Sequence, residues 1–282
     1  MQVIKRRKWF YVLSLIIIIP GIISLLLQGL NLGIDFTGGS ITHIKLPSEA
    51  TIAEVRAVLD KQGLEKAEVQ KSGDEFYLRT SELTQEETDE LMAALKEDFS
   101  EVVFMSAESV GATIGGELTR NALLAISIAT VLMLLYISIR FEWTFGIAAI
   151  IGIIHNVLVV LGVFSIFQWE VSSAFNAAIL TVIGYSINDT IVIFDRVREN
   201  LRGTRKQDYE ELVNRSVGQT LNRSINTVLT SAFPLIALLI LGGSTIKLFV
   251  LAMLIGFVTG AYSSICIASS TWYDIKTRKA AA

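Results

Sequence analysis

Hydrophobic positions along the chain follow two different patterns. Six stretches are apolar almost without interruption: Trp9–Gln28, Asn121–Ile139, Trp143–Phe167, Val171–Phe194, Ser224–Leu241 and Ile246–Tyr273. A bilayer core about 30 Å thick is crossed by about 20 apolar residues in helical form, so each stretch predicts a membrane span. Pro20 and Pro234 lie inside two of them, where a bundle of neighbouring helices tolerates proline. The first stretch is too long for a signal peptide and has no small-residue cleavage site after it, so it reads as an uncleaved anchor.

Between the first and second stretches the pattern becomes that of a water-facing domain. Residues 41–46 alternate as a strand, and Ile52, Val55, Val58 and Leu59 recur at helical spacing. Residues 67–71 and 76–80 read as two strands around the turn Ser72-Gly73-Asp74-Glu75. Residues 84–99 predict a helix opened by a Thr84/Glu87 capping box, and residues 102–105 a last strand. The order β-α-β-β-α-β is that of a ferredoxin-like α+β domain. The expected organisation is an N-terminal tail and first span over residues 1–30, a head domain over 31–118, five further spans over 119–274 and a short tail over 275–282.

Composition and charge sharpen this. The chain of 282 residues is 52% apolar and only 18% charged, which excludes a disordered chain. One cysteine excludes a disulfide scaffold, and no basic domain argues for nucleic acid. The net charge of −3 averages two unlike regions. Residues 31–118 hold eighteen acids against seven basic residues, so the head carries about −11. Basic residues cluster on alternate loops: Lys5, Arg6, Arg7 and Lys8; Arg140; Arg196, Arg198, Arg202, Arg205, Lys206 and Arg215; Lys276, Arg278 and Lys279. Residues 167–172 and 241–246, between spans on the other side, have none. The positive-inside rule then places both termini in the cytoplasm and the head outside it.

Three segments depart from plain spans. Gly33, Asp35, Gly38 and Gly39 form a glycine-rich run after span one, and Gly111, Gly115 and Gly116 another before span two. Both are expected to be flexible necks framing the head. The third is Gly184-Tyr185-Ser186-Ile187-Asn188-Asp189-Thr190, continuing to Asp195-Arg196. An acid such as Asp189 inside an apolar run costs roughly 2.5–3.5 kcal/mol on insertion scales and needs a partner or water. The cation in a matching place is Arg223, at the start of span five, so a pair between them is expected. It locks two helices or carries protons, and both readings stand. Asn188, His155, Asn156 and Asp195 are candidates for a polar path beside it. Gly256 and Gly260 permit close helix approach, and Cys266 reads as a packing residue. There is no phosphate-binding loop, no cluster of metal ligands and no nucleophile–base–acid set, so neither a cofactor, a metal nor enzymatic catalysis is expected.

The two glycine runs and the Gly184–Asn200 segment resemble the SecF family, the smaller partners of SecD in bacterial protein export. The resemblance covers nearly the whole chain. It implies relation to the resistance-nodulation-division transporters and an inner-membrane location. It also implies pairing with SecD, association with the SecYEG channel, SecA and YajC, and proton-driven assistance of late preprotein export. It places the proton relay on Asp189 and Arg223. Two other readings are weighed beside it: a proton-driven exporter of lipids or small amphiphiles, and a purely structural assembly factor for the translocase.

Overall fold

The computed structural model describes residues 2–201 and 209–281. Arg202, Arg205 and Lys206 of the basic loop lie outside the described residues. The chain divides into two compact units: residues 1–31 with 124–282, and residues 32–123.

The first unit begins with α1 (Arg7–Leu27). The second unit opens with a short helix, α2 (Ile34–Thr37), followed by β1 (Gly39–Lys45), α3 (Ile52–Lys61), β2 (Glu68–Ser72), β3 (Glu75–Thr80), α4 (Gln85–Asp98) and β4 (Val103–Val110). The four strands form one antiparallel sheet in the order β2-β3-β1-β4. Apolar residues of β1 and β3 (Ile44, Phe76 and Leu78) pack against Val55, Val58 and Leu59 of α3 and Leu91 and Leu95 of α4, closing one core. The β2–β3 hairpin turns through Gly73, whose φ of +66° L side chains rarely adopt. The last strand runs five residues beyond the expected end at Met105, because its pairing with β1 continues to Gly39↔Val110.

Helices α3 and α4 both start at capping boxes. The expected Thr84/Glu87 box is formed, and Thr51 with Glu54 makes a second one. Each glutamate accepts hydrogen bonds from the backbone N–H and the hydroxyl of its threonine. Those bonds favour the carboxylate and hold Glu54 and Glu87 below the usual range. A lowered folded value means stability that is present above the unfolded pKa of about 4.3 and lost as pH falls through the folded value. Thr84→Ala removes an N-cap and should cost about 1 kcal/mol near neutral pH, with a smaller effect in acid. Hydrogen exchange of α4 in the full-length protein checks this, with the gap between variant and wild type narrowing in acid and persisting in part, since the Thr84 hydroxyl also caps the Glu87 backbone N–H.

Apart from the two-residue strands Asn31–Leu32 and Glu170–Val171, the remaining elements are helices: α5 (Ala112–Arg140), α6 (Trp143–Phe167), α7 (Ser173–Leu201), α8 (Tyr209–Leu241), α9 (Ser244–Tyr262) and α10 (Ser269–Ala281). A π-helical turn, Ser263–Ala268, joins the last two into one long rod. Among the described residues, six helices are long and apolar enough to cross a membrane, at Arg7–Leu27, Ala112–Ile137, Trp143–Phe167, Ser173–Leu201, Tyr209–Leu241 and Thr245–Arg278. Leu26, Leu27, Ile139 and Leu241 are all more than 80% exposed, as side chains facing lipid would be. Helix α8 begins fifteen residues before the expected span, because its first half is amphipathic and buries Leu212, Val213, Ser216 and Val217.

Helices α1 and α6 meet backbone to backbone. A Cβ on Gly21 would fall 2.7 Å from Gly162 Cα, so neither position admits a side chain without movement. Ser24 and Ser165 share a hydroxyl hydrogen bond of 2.7 Å one turn away.

Candidate functional site

The inward face of α7 is a continuous stripe: Phe175, Ala178, Ile179, Val182, Ile183, Ser186, Ile187, Asp189, Thr190, Ile193, Phe194 and Val197. The spacing of three and four residues keeps these positions on one side of the helix. Asp189 is the one ionisable residue of that stripe, and it is 6% exposed. The chain therefore folds an acid into the packed face of a membrane helix.

The partner of Asp189 differs from expectation. Its Oδ1 accepts a 2.6 Å hydrogen bond from Ser224 Oγ of α8, and its Oδ2 has no hydrogen-bond partner. Arg223 forms no ion pair with Asp189 among the described residues and lies on the exposed side of α8. The reason is helical geometry. Successive residues point about 100° apart, so only one of Arg223 and Ser224 can face α7. The small hydroxyl of Ser224 makes the direct contact, and Arg223 acts on the Asp189 charge from beyond ion-pair distance.

Polar contacts surround the acid. Thr190 Oγ1 and Ser264 Oγ share a 2.7 Å hydrogen bond, and Ser264 Oγ donates to the Ser186 carbonyl at 3.2 Å. Ser264 belongs to the π turn, whose six residues are all buried and include the free Cys266. Such turns inside α-helices re-aim side chains and recur at functional sites. Here the wide turn brings Ser264 to α7. The sequence carries only a faint trace of it, in the serine pairs Ser263-Ser264 and Ser269-Ser270.

The other polar candidates separate into four places. Asn156, on the inner face of α6, accepts from the Thr259 hydroxyl of α9. His155, the next residue, points elsewhere: its Nε2 pairs with Ser14 Oγ of α1 at 2.9 Å. Asn188 is exposed. Asp195 is not in the buried stripe. It sits in a half-buried cluster, 3.0 Å from Arg198 and 3.7 Å from Arg140. His43 stacks on Tyr77 in the head sheet, with centroids 4.3 Å apart.

The glycine runs also depart from the picture of two flexible necks. Residues 112–118 are the first turns of α5, and residues 34–37 are α2. The two segments pack against each other within the second unit. A Cβ on Gly38 would lie 2.9 Å from Ala112 Cα, and one on Gly115 would lie 3.1 Å from Gly38 N and Phe36 O. Gly38 (φ +73°) and Gly39 (φ +124°) also hold backbone conformations that favour glycine. Gly39 has a further restriction, since a Cβ there would lie 2.6 Å from the Thr80 carbonyl oxygen. Glycine thus serves close backbone approach here, and the surrounding Ala112, Ile114, Glu117 and Leu118 favour helix. Gly33 is the N-cap of α2, Asp35 lies in its first turn, and Gly111 faces the Glu82 carboxylate. Gly116 has open space around it.

Two family descriptions match the chain. "SecD/SecF GG Motif" covers residues 23–41, and "Protein export membrane protein SecD/SecF, C-terminal" covers residues 90–278. The chain belongs to the SecD/SecF family. The family's C-terminal region spans the whole α7 stripe with Asp189, and its glycine motif spans Gly38 and Gly39. Protein translocase subunit SecF of Sebaldella termitidis is 39% identical, over 99% of this chain and 93% of its own length. Protein translocase subunit SecDF of Bacillus subtilis is 39% identical, and the match covers 98% of this chain but 38% of that protein. The crystal structure of SecDF from Thermus thermophilus superposes with a TM-score of 0.92 at 36% identity, over 99% of this chain and 39% of that one. Six apolar helices and family membership make this a multi-pass membrane protein.

Proposed function

We propose that the chain is a SecF-type subunit of a protein-export complex, working beside SecD and driven by the proton gradient. A role in protein export follows from its relatives, which are translocase subunits along nearly their full length. The partner follows from relatives in which the matching segment is one part of a longer SecDF chain. The family resemblance extends the reading to SecYEG, SecA and YajC as neighbours and to preproteins as cargo. The protein's work is then transport, not enzymatic catalysis.

The observation that carries proton use is the buried Asp189, with one oxygen bonded to Ser224 and the other without a partner. Protonation removes the charge and with it the charge-assisted bond between α7 and α8. A change of charge at that contact favours a different packing of the two helices. Arg223 and Asn188, exposed on this chain, would face the spans of SecD, since an arginine beside lipid is costly.

The head is read as an extracytoplasmic ferredoxin-like domain. The sheet order β2-β3-β1-β4, the acid surplus of the head and the basic clusters on the opposite loops support this. Both termini would be cytoplasmic, in the inner membrane.

Export of a preprotein into inverted membrane vesicles tests the reading. Vesicles lacking the chain should lose the gradient-dependent part of export, and restoring the chain should restore it. Restored stimulation that survives a protonophore would contradict proton use. Co-purification with lipid carriers and without SecD would favour the amphiphile exporter instead.

A further inference from the structure

The basic residues of the alternate loops fall into two sets. Arg7 pairs with Asp274, Arg140 and Arg198 with Asp195, Arg196 with Glu199, and Lys276 with Glu142. Lys5, Arg6, Lys8, Arg215 and Arg278 are exposed and form no ion pair among the described residues. The positive-inside rule applies to both sets alike, so it does not explain why one is left unpaired.

The unpaired set belongs to the junction of α1, α8 and α10, where the start of the chain is pinned. Val3 and Ile4 are buried, and the Arg6 N–H donates to the Val3 carbonyl to close a turn. The Ile4 N–H donates to Asn214 Oδ1 of α8 at 3.1 Å, and Arg7 Nη1 donates to the Ile4 carbonyl at 3.0 Å. Arg7 Nε also donates to Asp274 Oδ1 of α10 at 2.8 Å, and the Tyr11 hydroxyl donates to Asp274 Oδ2 at 3.1 Å. Asp274 therefore has both oxygens occupied. Lys5, Arg6 and Lys8 are held on a fixed turn and not on a loose tail. Arg215 is the residue after Asn214, and Arg278 lies one helical turn beyond Asp274. Glu210 and Glu211, at the start of α8, form no ion pair with any of these cations among the described residues.

Uncompensated like charges held on one turn repel each other and are relieved by an anion. The junction lies at the end of a membrane span, where lipid headgroups are found. Below the cations, Trp9, Val12, Leu13 and Ile16 are exposed at the three- and four-residue spacing of one helix face, with Trp9 76% exposed. A free phosphate has no use for that apolar face, whereas acyl chains fit it. The indole N–H donates only, and tryptophan favours the headgroup level of a membrane, where phosphate and ester oxygens accept. We propose that Lys5, Arg6 and Lys8 bind the phosphate headgroup of an anionic phospholipid, with Arg215 and Arg278 of the neighbouring helices contributing charge and the acyl chains lying along the face that begins at Trp9. Because Asn214 and Asp274 pin the turn beforehand, binding does not have to order it. The site does not depend on the proton-carrying reading of Asp189.

The test titrates the purified SecD–SecF complex, in neutral detergent, with phosphatidylglycerol, phosphatidylcholine or inorganic phosphate, and counts bound molecules by native mass spectrometry. The wild type should bind phosphatidylglycerol in preference to phosphatidylcholine. Lys5→Gln with Lys8→Gln should weaken phosphatidylglycerol binding about thirtyfold, from about 1 kcal/mol per charge at 1.4 kcal/mol per tenfold, and leave phosphatidylcholine binding unchanged. This double variant keeps Arg6 and Arg7, so the first span keeps a positive flank. Unchanged phosphatidylglycerol affinity in the double variant, or equal binding of both lipids by the wild type, would overturn the proposal. Inorganic phosphate bound as tightly as phosphatidylglycerol would show a simple anion site and overturn the lipid assignment. If the double variant does not assemble, Arg215→Gln with Arg278→Gln, both outside the first span, takes its place. It should weaken phosphatidylglycerol binding to a similar degree, and wild-type affinity there overturns the site.

Discussion

Asp189→Asn removes the gradient-dependent component of preprotein export and leaves the protein folded. The amide keeps the size of the carboxyl group, and its oxygen still accepts the hydrogen bond from Ser224 Oγ. What it lacks is the ability to exchange a proton. The stimulated part of export in inverted vesicles should fall at least about tenfold, while export in the absence of a gradient stays at the wild-type level. Ser224→Ala distinguishes this account from a helix lock. It leaves both Asp189 oxygens without a hydrogen-bond partner but keeps the titratable group. A lock predicts that Ser224→Ala is the more damaging change, because it breaks the contact between α7 and α8. A relay predicts the reverse order. Measuring both variants in the same vesicle preparation decides between them.

Gly256→Ala destabilises the membrane unit, and Val182→Ala partly restores it. Helices α7 and α9 are packed so closely that a Cβ on Gly256 would lie 2.2 Å from Val182 Cγ2 and 2.9 Å from Val182 Cβ. A β-branched valine is stiff about χ1 and cannot swing aside, so the helices themselves must move. Overpacking of this kind costs about 1–3 kcal/mol. The double variant removes the two clashing methyl groups but keeps Val182 Cβ, so it should recover part of the loss, a coupling that independent sites would not show. Thermal unfolding of the purified complex reads both. Gly256→Ala alone should melt several degrees lower, and a double variant no more stable than the single one would show that Val182 is not the obstacle. Gly256→Ala should also reduce export in proportion to the amount of assembled protein and no further.

The spans and the head elements were legible because their patterns are long and periodic. Asn156 and Ser186 show the limit. Each is an ordinary polar residue in an apolar stretch, and nothing in spacing alone tells that both face Gly260 across two helix contacts. Arg223 shows a second limit. Charge complementarity singled it out for Asp189, but the phase of α8 gives that contact to Ser224, and helical phase between two separate elements is a property of tertiary packing. The glycine runs show a third. Gly115 in isolation signals flexibility, whereas its actual role is to admit the backbone of Phe36 and Gly38. The π turn at Ser263–Ala268 leaves almost no sequence mark, because it adds a residue to a turn without changing the apolar character of the span. In the head, by contrast, both capping boxes can be read directly from threonine and glutamate three residues apart.

The central claim is that Asp189 takes up and releases a proton as the gradient is applied. Infrared difference spectroscopy of the reconstituted complex addresses it directly, by following the carbonyl stretch of a protonated carboxyl group when the extracytoplasmic side is acidified. The account predicts a band that appears on acidification, reverses when the gradient is removed, and is missing in Asp189→Asn. A spectrum identical in wild type and Asp189→Asn would contradict it.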